Sequence, residues 1–191
     1  MNHDSVIVIL ESWEDQRAIT VGTAVHYANV NKTDQEDYDG AKLQPNNLQV
    51  MIDSARAEIG VAKAYGAYWH GGHWDSSEHN KHRAQNADIT LRRLVDGVAH
   101  RFGIEVKHRI SANVVPIDPK DYENNHLIVW ASVHQPNKET SFVRVEMFGE
   151  ARASDVWHQA TLYNPNSTKQ LRRKFDPQLL KAPSVMKGDY H

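Results

Sequence analysis

The sequence predicts an α/β protein, a layer of strands held between flanking helices. Three observations predict it. An Asp-Gly dipeptide, Asp96-Gly97, stands between two strand-like arms. Two stretches, 13–29 and 47–68, repeat apolar residues at helical spacing. The order of elements is a strand, two helices, four strands and a last helix. Helices on either side of such strands bury both faces of a sheet.

Each element has its own signal. Residues 6–10 (Val-Ile-Val-Ile-Leu) are short and β-branched, so they read as a strand. Ala18, Val21, Val25 and Ala28 mark one face of a helix over 13–29. Residues 30–46 are polar, hold Gly40 and Pro45, and read as a loop. Asn47 can cap a helix that runs to about Tyr68. Its apolar stripe is Leu48, Met51, Ile52, Ala55, Ile59 and Ala62, and the small residues Ala57, Gly60 and Ala64 allow close packing. Glu58 lies within that stripe, where an unpaired carboxylate is costly. Residues 69–86, rich in Trp, Gly and His, read as a second loop.

The hairpin is the most informative part. Asp-Gly between alternating flanks favours a two-residue turn, which puts Val95 opposite Val98. Counting outward, Ile89 and Leu91 then share a face with Ile104 and Phe102. Asp88 faces Glu105 on the other side, and Lys107 follows two residues on. Two more strands are expected at Leu127–Val133 and Phe142–Phe148, with Val143, Val145 and Met147 alternating, joined by a turn at Gln135–Lys138. Ser154 or Asp155 can cap a helix around Val156–Leu162. Residues 164–191 carry Pro165, Pro177 and Pro183, and are expected to be irregular with one short helix. This gives one domain over 1–175, its strand and helix at 5–30 packed on a core at 47–165, and an irregular tail at 176–191.

Composition narrows the function. The chain has 191 residues, enough for a core without staples. It has no cysteine, which excludes disulfides, thiol nucleophiles, Cys-type zinc fingers and iron–sulfur clusters, and fits a reducing compartment. Mean hydropathy is −0.65, and no apolar run approaches the roughly 18 residues of a membrane span. No signal peptide is apparent, so a cytoplasmic protein is expected. Lys+Arg is 22 and Asp+Glu is 24, a net charge of −2. Proteins that bind nucleic acid by charge alone are usually basic. Such a function here needs a local patch, or metal ions that offset carboxylates.

Two carboxylates directly opposite on a sheet repel, so Asp88 and Glu105 call for a cation. Hard divalent ions such as Mg2+ or Mn2+ take carboxylate and backbone oxygens and keep several waters. A water acidified in this way can attack a phosphodiester. Lys107 can orient that water or stabilise the charge that develops. Val106 can lend its carbonyl, and Glu58 can reach the same metal. The plain alternative is a solvated face, with Asp88–Lys107 and Glu105–Arg92 as surface ion pairs worth under about 1 kcal/mol each.

Other signals are weaker. His70/His73 and His79/His82 have zinc-compatible spacing, but four-His zinc is rare, and a surface or DNA-proximal loop is the plainer reading. Arg109 shares the Lys107 face and can contact a phosphate. Lys169 and Arg172-Arg173-Lys174 form a basic patch suited to a nucleic-acid backbone, or simply to solvent. Trp69, Trp74, Trp130 and Trp157 read as core or rim. There is no Gly-rich phosphate loop and no Gly-x-Ser-x-Gly elbow.

A helix-borne Glu58, then Asp88, then Glu105-Val106-Lys107 resembles the PD-(D/E)XK nuclease superfamily. The order of elements after residue 47 is similar to its αβββαβ core, a restriction-endonuclease-like mixed sheet flanked by helices. The chain also resembles a group of phage-encoded proteins with that fold. The matching pieces are Trp13-Glu14, Ala18-Ile19, the run Ala57–Trp69, Gly103–Lys107, Leu127–Val129 and Gly149–Trp157. The likeness covers most of residues 6–175. Ala87 stands where the superfamily has Pro. Asp96 rivals Asp88 for the acidic position, although the hairpin puts Asp96 at its tip. Those phage proteins often have Arg where this chain has Lys107, which favours activity here.

The resemblance implies a phage-encoded, Mg2+-dependent DNA endonuclease in the host cytoplasm. Asp88 and Glu105 would hold Mg2+ or Mn2+, Lys107 and Glu58 would act in catalysis, and Arg109 and Arg92 would contact DNA. Many nucleases of this fold work in pairs, so a homodimer is implied as well. The rival is a catalytically inactive module on the same fold that binds a protein or DNA; a structural phage component is a third reading. Geometry separates the first two. Convergence of Asp88, Glu105 and Lys107 favours the enzyme, and a salt bridge filling the cleft favours the module.

Overall fold

The computed structural model describes residues 5–30, 47–69, 71, 87–96, 98–108, 114–137, 141–162 and 173–185. The fold is mixed α/β. In chain order the elements are β1 (Val6–Ile9), α1 (Ser12–Val30), α2 (Asn47–Ala64), β2 (Tyr68–Trp69), β3 (Ile89–Val95), β4 (Val98–His108), β5 (Val115–Ile117), α3 (Pro119–Glu123), β6 (Leu127–His134), β7 (Arg144–Arg152), α4 (Ala153–Trp157), β8 (Thr161–Leu162) and β9 (Arg173–Phe175). A 3-10 turn follows at Pro177–Leu179.

The main sheet has six strands in the order β1-β7-β6-β4-β3-β2, and a smaller sheet has the order β5-β9-β8. Within the main sheet β4 and β6 are parallel, and every other neighbouring pair is antiparallel. The chain reverses between the parallel strands by way of β5 and α3.

Strand alternation sorts β6 onto two cores. Val129 and Ala131 join α1 and α2 on one face, with Ile59, Val61, Tyr65, Ile89, Ile104 and Met147. Ile128 and Trp130 face the other way, onto Val115, Ile117, Val156, Phe175 and Leu180. A strand buried on both faces reads as a continuous apolar run, as Leu127–Val133 does. The two helices are tied together by Arg56, which reaches Asp15 at 2.6 Å and Asp53 at 2.9 Å.

Helix α2 ends at Ala64, earlier than the apolar stripe suggests. Gly66 takes φ +60°. Its N–H donates to the Lys63 carbonyl at 3.1 Å, and the Ala67 N–H donates to the Ala62 carbonyl at 2.8 Å. This left-handed cap satisfies the last carbonyls and turns Tyr68–Trp69 out of the helix to pair with β3. The expected helix end at Tyr68, and a loop beginning at 69, are corrected accordingly.

The hairpin has the expected register. Val95 pairs with Val98 and Ile89 with Ile104, and Asp96 adopts φ +52°, as such a turn demands. The last helix differs from expectation. β7 runs to Arg152 and turns straight into α4, so the helix begins at Ala153 and ends at Trp157. Ala153 N–H donates to the His126 carbonyl at 2.9 Å, which fixes that start. Thr161 and Leu162 belong to β8.

Packing continues past residue 175. Leu180 is 3 % exposed, and Lys181 exchanges backbone hydrogen bonds with Glu150 at 2.8 and 2.9 Å. The loop expected at 30–46 lies outside the described residues except for Val30, as do His70 and residues 72–86. Among the described residues no helix is long and apolar enough to cross a membrane.

Candidate active site

The hairpin register builds the first half of the site. Ile104 and Val106 of β4 point to the α2 side, so Glu105 and Lys107 point to the opposite face. Asp88 directly precedes β3, one step beyond the Ile89–Ile104 pair, and so meets Glu105. Its Oδ2 accepts a hydrogen bond from the Val106 N–H at 2.8 Å. Burial, and next the Glu105 charge, push the Asp88 carboxyl up to about 7; Lys107, the Val106 N–H and Lys120 pull the other way. Burial alone would lower the Lys107 pKa, but Glu105, Asp121, Asp118 and Asp88 raise it above its ordinary value. Lys107 is therefore an ammonium.

The crossover builds the second half. Pro119 opens α3, a position where its missing N–H costs nothing. Asp121 reaches back, and its Oδ2 accepts from the Asp118 N–H at 2.9 Å, one half of a capping box. At the other end Asn125 takes φ +48°. Its N–H donates to the Tyr122 carbonyl at 3.1 Å, and the His126 N–H donates to the Asp121 carbonyl at 2.9 Å. This pair of bonds is a Schellman cap, and it locks His126 against Asp121 through the backbone. The His126 ring lies over Gly103. A Cβ at 103 would sit 2.5 Å from His126 Cδ2 and 2.9 Å from Nε2, so a side chain there would displace the ring.

The halves meet at Lys107. Its Nζ is 3.0 Å from Glu105 Oε1, 3.2 Å from Asp121 Oδ2 and 3.5 Å from Asp118 Oδ2. Lys120 Nζ is 3.3 Å from Glu105 Oε2. His126 Nδ1 faces Asp121 Oδ1 at 3.5 Å, too long for a good hydrogen bond. Both of those atoms are buried without a hydrogen-bond partner. Burial raises the Asp121 carboxyl, but His126, the Lys107 ammonium and the Asp118 N–H outweigh it and hold the group well below the usual range.

Asp88, Glu105 and Lys107 thus come together. The expectation of a solvated face fails, since the Glu105 and Lys107 side chains are only 8 % and 10 % exposed. Asp96 is exposed at the hairpin tip, beyond the Val95–Val98 pair, while Glu105 lies at the other end of the ladder. Glu58 is placed elsewhere. It sits on α2, on the other side of the sheet from Glu105, and accepts from Trp69 Nε1 at 2.8 Å. The sheet between them does not bring Glu58 to the Asp88–Lys107 cluster.

Arg92 stands opposite Arg101 across the hairpin. Both are exposed on the Asp88 face, four residues or roughly 13 Å along the strands from Asp88 and Glu105. With Tyr68 and Thr90 they line a shallow groove of about 390 Å3. Arg109, the histidines at 70, 73, 79 and 82, and Lys169 and Arg172 of the basic run lie outside the described residues. Arg173 is committed to structure: its guanidinium is 4.7 Å from the Trp157 ring centre and donates to the Ala160 carbonyl at 3.1 Å.

Sequence reasoning missed Asp118, Lys120, Asp121 and His126. Two signals were present. Asp118-Pro119 with Asp121 three residues after the cap marks a helix start. Asn124-Asn125-His126 before an apolar run marks its end. Comparison of the chain with models of known protein families, with curated proteins and with solved structures found no match.

Proposed function

We propose that the protein is a metal-dependent nuclease of PD-(D/E)XK type that hydrolyses phosphodiester bonds in DNA. The observation that carries the reading is the convergence of Asp88, Glu105 and Lys107 on one largely buried sheet face. The order of elements supports it: α2, three antiparallel strands β2, β3 and β4, a crossover through β5 and the short helix α3, then β6 parallel to β4. Apart from the inserted β5, that order resembles the αβββαβ, restriction-endonuclease-like core that the reading calls for. A phage origin, the host cytoplasm and pairing of two copies rest on the same resemblance.

The donor set fits a hard divalent cation. Two carboxylates meet on a buried face, and burial, with the Glu105 charge next, raises Asp88 to about 7. Asp88 and Glu105 would hold Mg2+ or Mn2+, whose chemistry is to acidify a bound water. Lys107 holds its proton and places a positive charge where the phosphorane gathers negative charge. Arg92 and Arg101 offer the adjoining groove to backbone phosphates. Two arginines directly opposite repel unless an anion lies between them, which suits such a role.

A second reading has its own support. Lys107 already has three carboxylates within 3.5 Å, a buried ion-pair network within the cleft. That favours an inactive nuclease-fold module binding a protein or DNA. Incubation of linear, circular and single-stranded DNA with Mg2+ or Mn2+, beside Lys107→Ala, separates the two. Metal-dependent cutting lost in the variant supports the nuclease. No cutting by either protein at high concentration transfers the reading to the module.

A further inference from the structure

We propose that Glu105, Asp121 and His126 form a site for a divalent transition metal of the Mn2+, Co2+ and Zn2+ class. This set differs from the Asp88–Glu105 pair of the nuclease reading and shares only Glu105 with it. It stands whether or not the protein cuts DNA.

One ligand atom from each of the three residues lies within 4.8 Å of the others, and all three residues are buried. Asp121 is 0 % exposed and His126 5 %. Asp121 Oδ1 and His126 Nδ1 are the atoms left without hydrogen-bond partners there, and they face each other at 3.5 Å. Native folds rarely leave buried polar atoms unpaired, and a missing ion is one reason they do. A cation between these atoms would satisfy both.

The site is built before any metal arrives. The Schellman cap at Asn125 sets His126 against Asp121, and the bare Cα of Gly103 leaves room for the imidazole. Asp121 Oδ2 is held by the Asp118 N–H, which leaves Oδ1 for the ion. Three protein ligands leave further positions for water. An imidazole nitrogen beside two carboxylates selects first-row transition ions over Mg2+ and Ca2+, which prefer all-oxygen sets.

Lys107 is the competitor. Its ammonium stands 3.0 Å from Glu105 and 3.2 Å from Asp121, against the two carboxylates that the metal needs. Shortening the positive charge away with Lys107→Met should therefore tighten metal binding, whereas a lysine serving only the fold would give no such gain.

The test uses the full metal-free chain and Co2+ as probe, with affinity followed by calorimetry and the imidazole resonances of His126 followed by NMR. Paramagnetic Co2+ is expected to shift the His126 signals, which distinguishes this site from the other histidines. Loss of an outer partner of a metal ligand already costs about 10–100-fold in affinity, so His126→Gln is expected to weaken binding at the shifted site by at least tenfold. Asp88→Asn is expected to weaken it less than His126→Gln does, since Asp88 faces the ligand Glu105 but is not itself a ligand. Unshifted His126 signals at saturating Co2+ overturn the proposal, and they do so in the wild type, without depending on the folding of a variant. So does a His126→Gln protein that binds Co2+ as the wild type does. If Asp88→Asn alone abolishes binding, the metal belongs to the Asp88–Glu105 pair, and the nuclease reading survives while this proposal falls.

Discussion

Asp88→Asn should stabilise the metal-free protein, and by an amount that grows with pH. Asn keeps an oxygen to accept the Val106 N–H but carries no charge for Glu105 to repel. The sign follows from the carboxyl's two environments. Unfolded, Asp88 loses its proton near the ordinary value of 3.8; folded, it holds it up to about 7. Between those values the folded state binds more protons, so stability falls as pH rises, and the loss is complete above about 7. From pH 5 to that value is two pH units, and at 1.36 kcal/mol per unit the wild type loses about 2.7 kcal/mol through this group. Asn loses nothing there. Urea unfolding of both proteins in EDTA, at pH 5 and pH 8, measures the difference. The change in their stability gap reports the titration of Asp88 together with its repulsion of Glu105. A gap that widens by about 2–3 kcal/mol in favour of Asn is the expected result. A gap that is flat with pH would mean that Asp88 is not a desolvated carboxylate facing Glu105.

Two more predictions test the frame around the site. Gly103→Ala drives a Cβ into the His126 ring and should cost about 1–3 kcal/mol by urea unfolding; a neutral result would mean that the ring is free to move aside. Asn125→Gly should be tolerated or should stabilise by up to about 1 kcal/mol, since φ +48° suits glycine better than asparagine. A thermal melt lowered by several degrees in that variant would show that the Asn125 side chain, whose Oδ1 accepts from Ser154 N–H at 3.3 Å, matters more than the backbone turn.

What the sequence reveals here is what depends on neighbours in the chain. Asp96-Gly97 demands a turn with left-handed φ, and one turn sets the whole ladder from Val95–Val98 to Ile89–Ile104. Asp88 opposite Glu105 follows by counting. Helical spacing likewise exposes α1 and the body of α2. The end of α2 is less legible, because Gly66 can be tolerated in a helix and nothing local shows that it caps one. Asp121 and His126 are harder still. They reach the site only because β6 returns parallel to β4, and parallel pairing leaves no local mark. His126 also needs the missing side chain of Gly103, a residue far from it in sequence. Glu58 fails for a related reason: its place on the apolar stripe is legible, but which side of the sheet that stripe covers is not.

The buried ion pairs at Lys107 look at first like an argument against a working site, since a cleft filled by its own salt bridge has no need of a ligand. Asp88 argues the other way. An ion-pair network kept only for the fold gains nothing by adding a carboxylate that faces Glu105, and burying one there is destabilising. Among the described residues Asp88 accepts one hydrogen bond, from a neutral backbone N–H, and burial, with the Glu105 charge next, drives its carboxyl up to about 7 in spite of that bond and of Lys107 and Lys120. Groups held against their own stability are more common where function requires them. Under the proposed function, Lys107 would be the cation that keeps the carboxylates in place until a metal ion binds, and its three ion pairs would be the resting arrangement of the site.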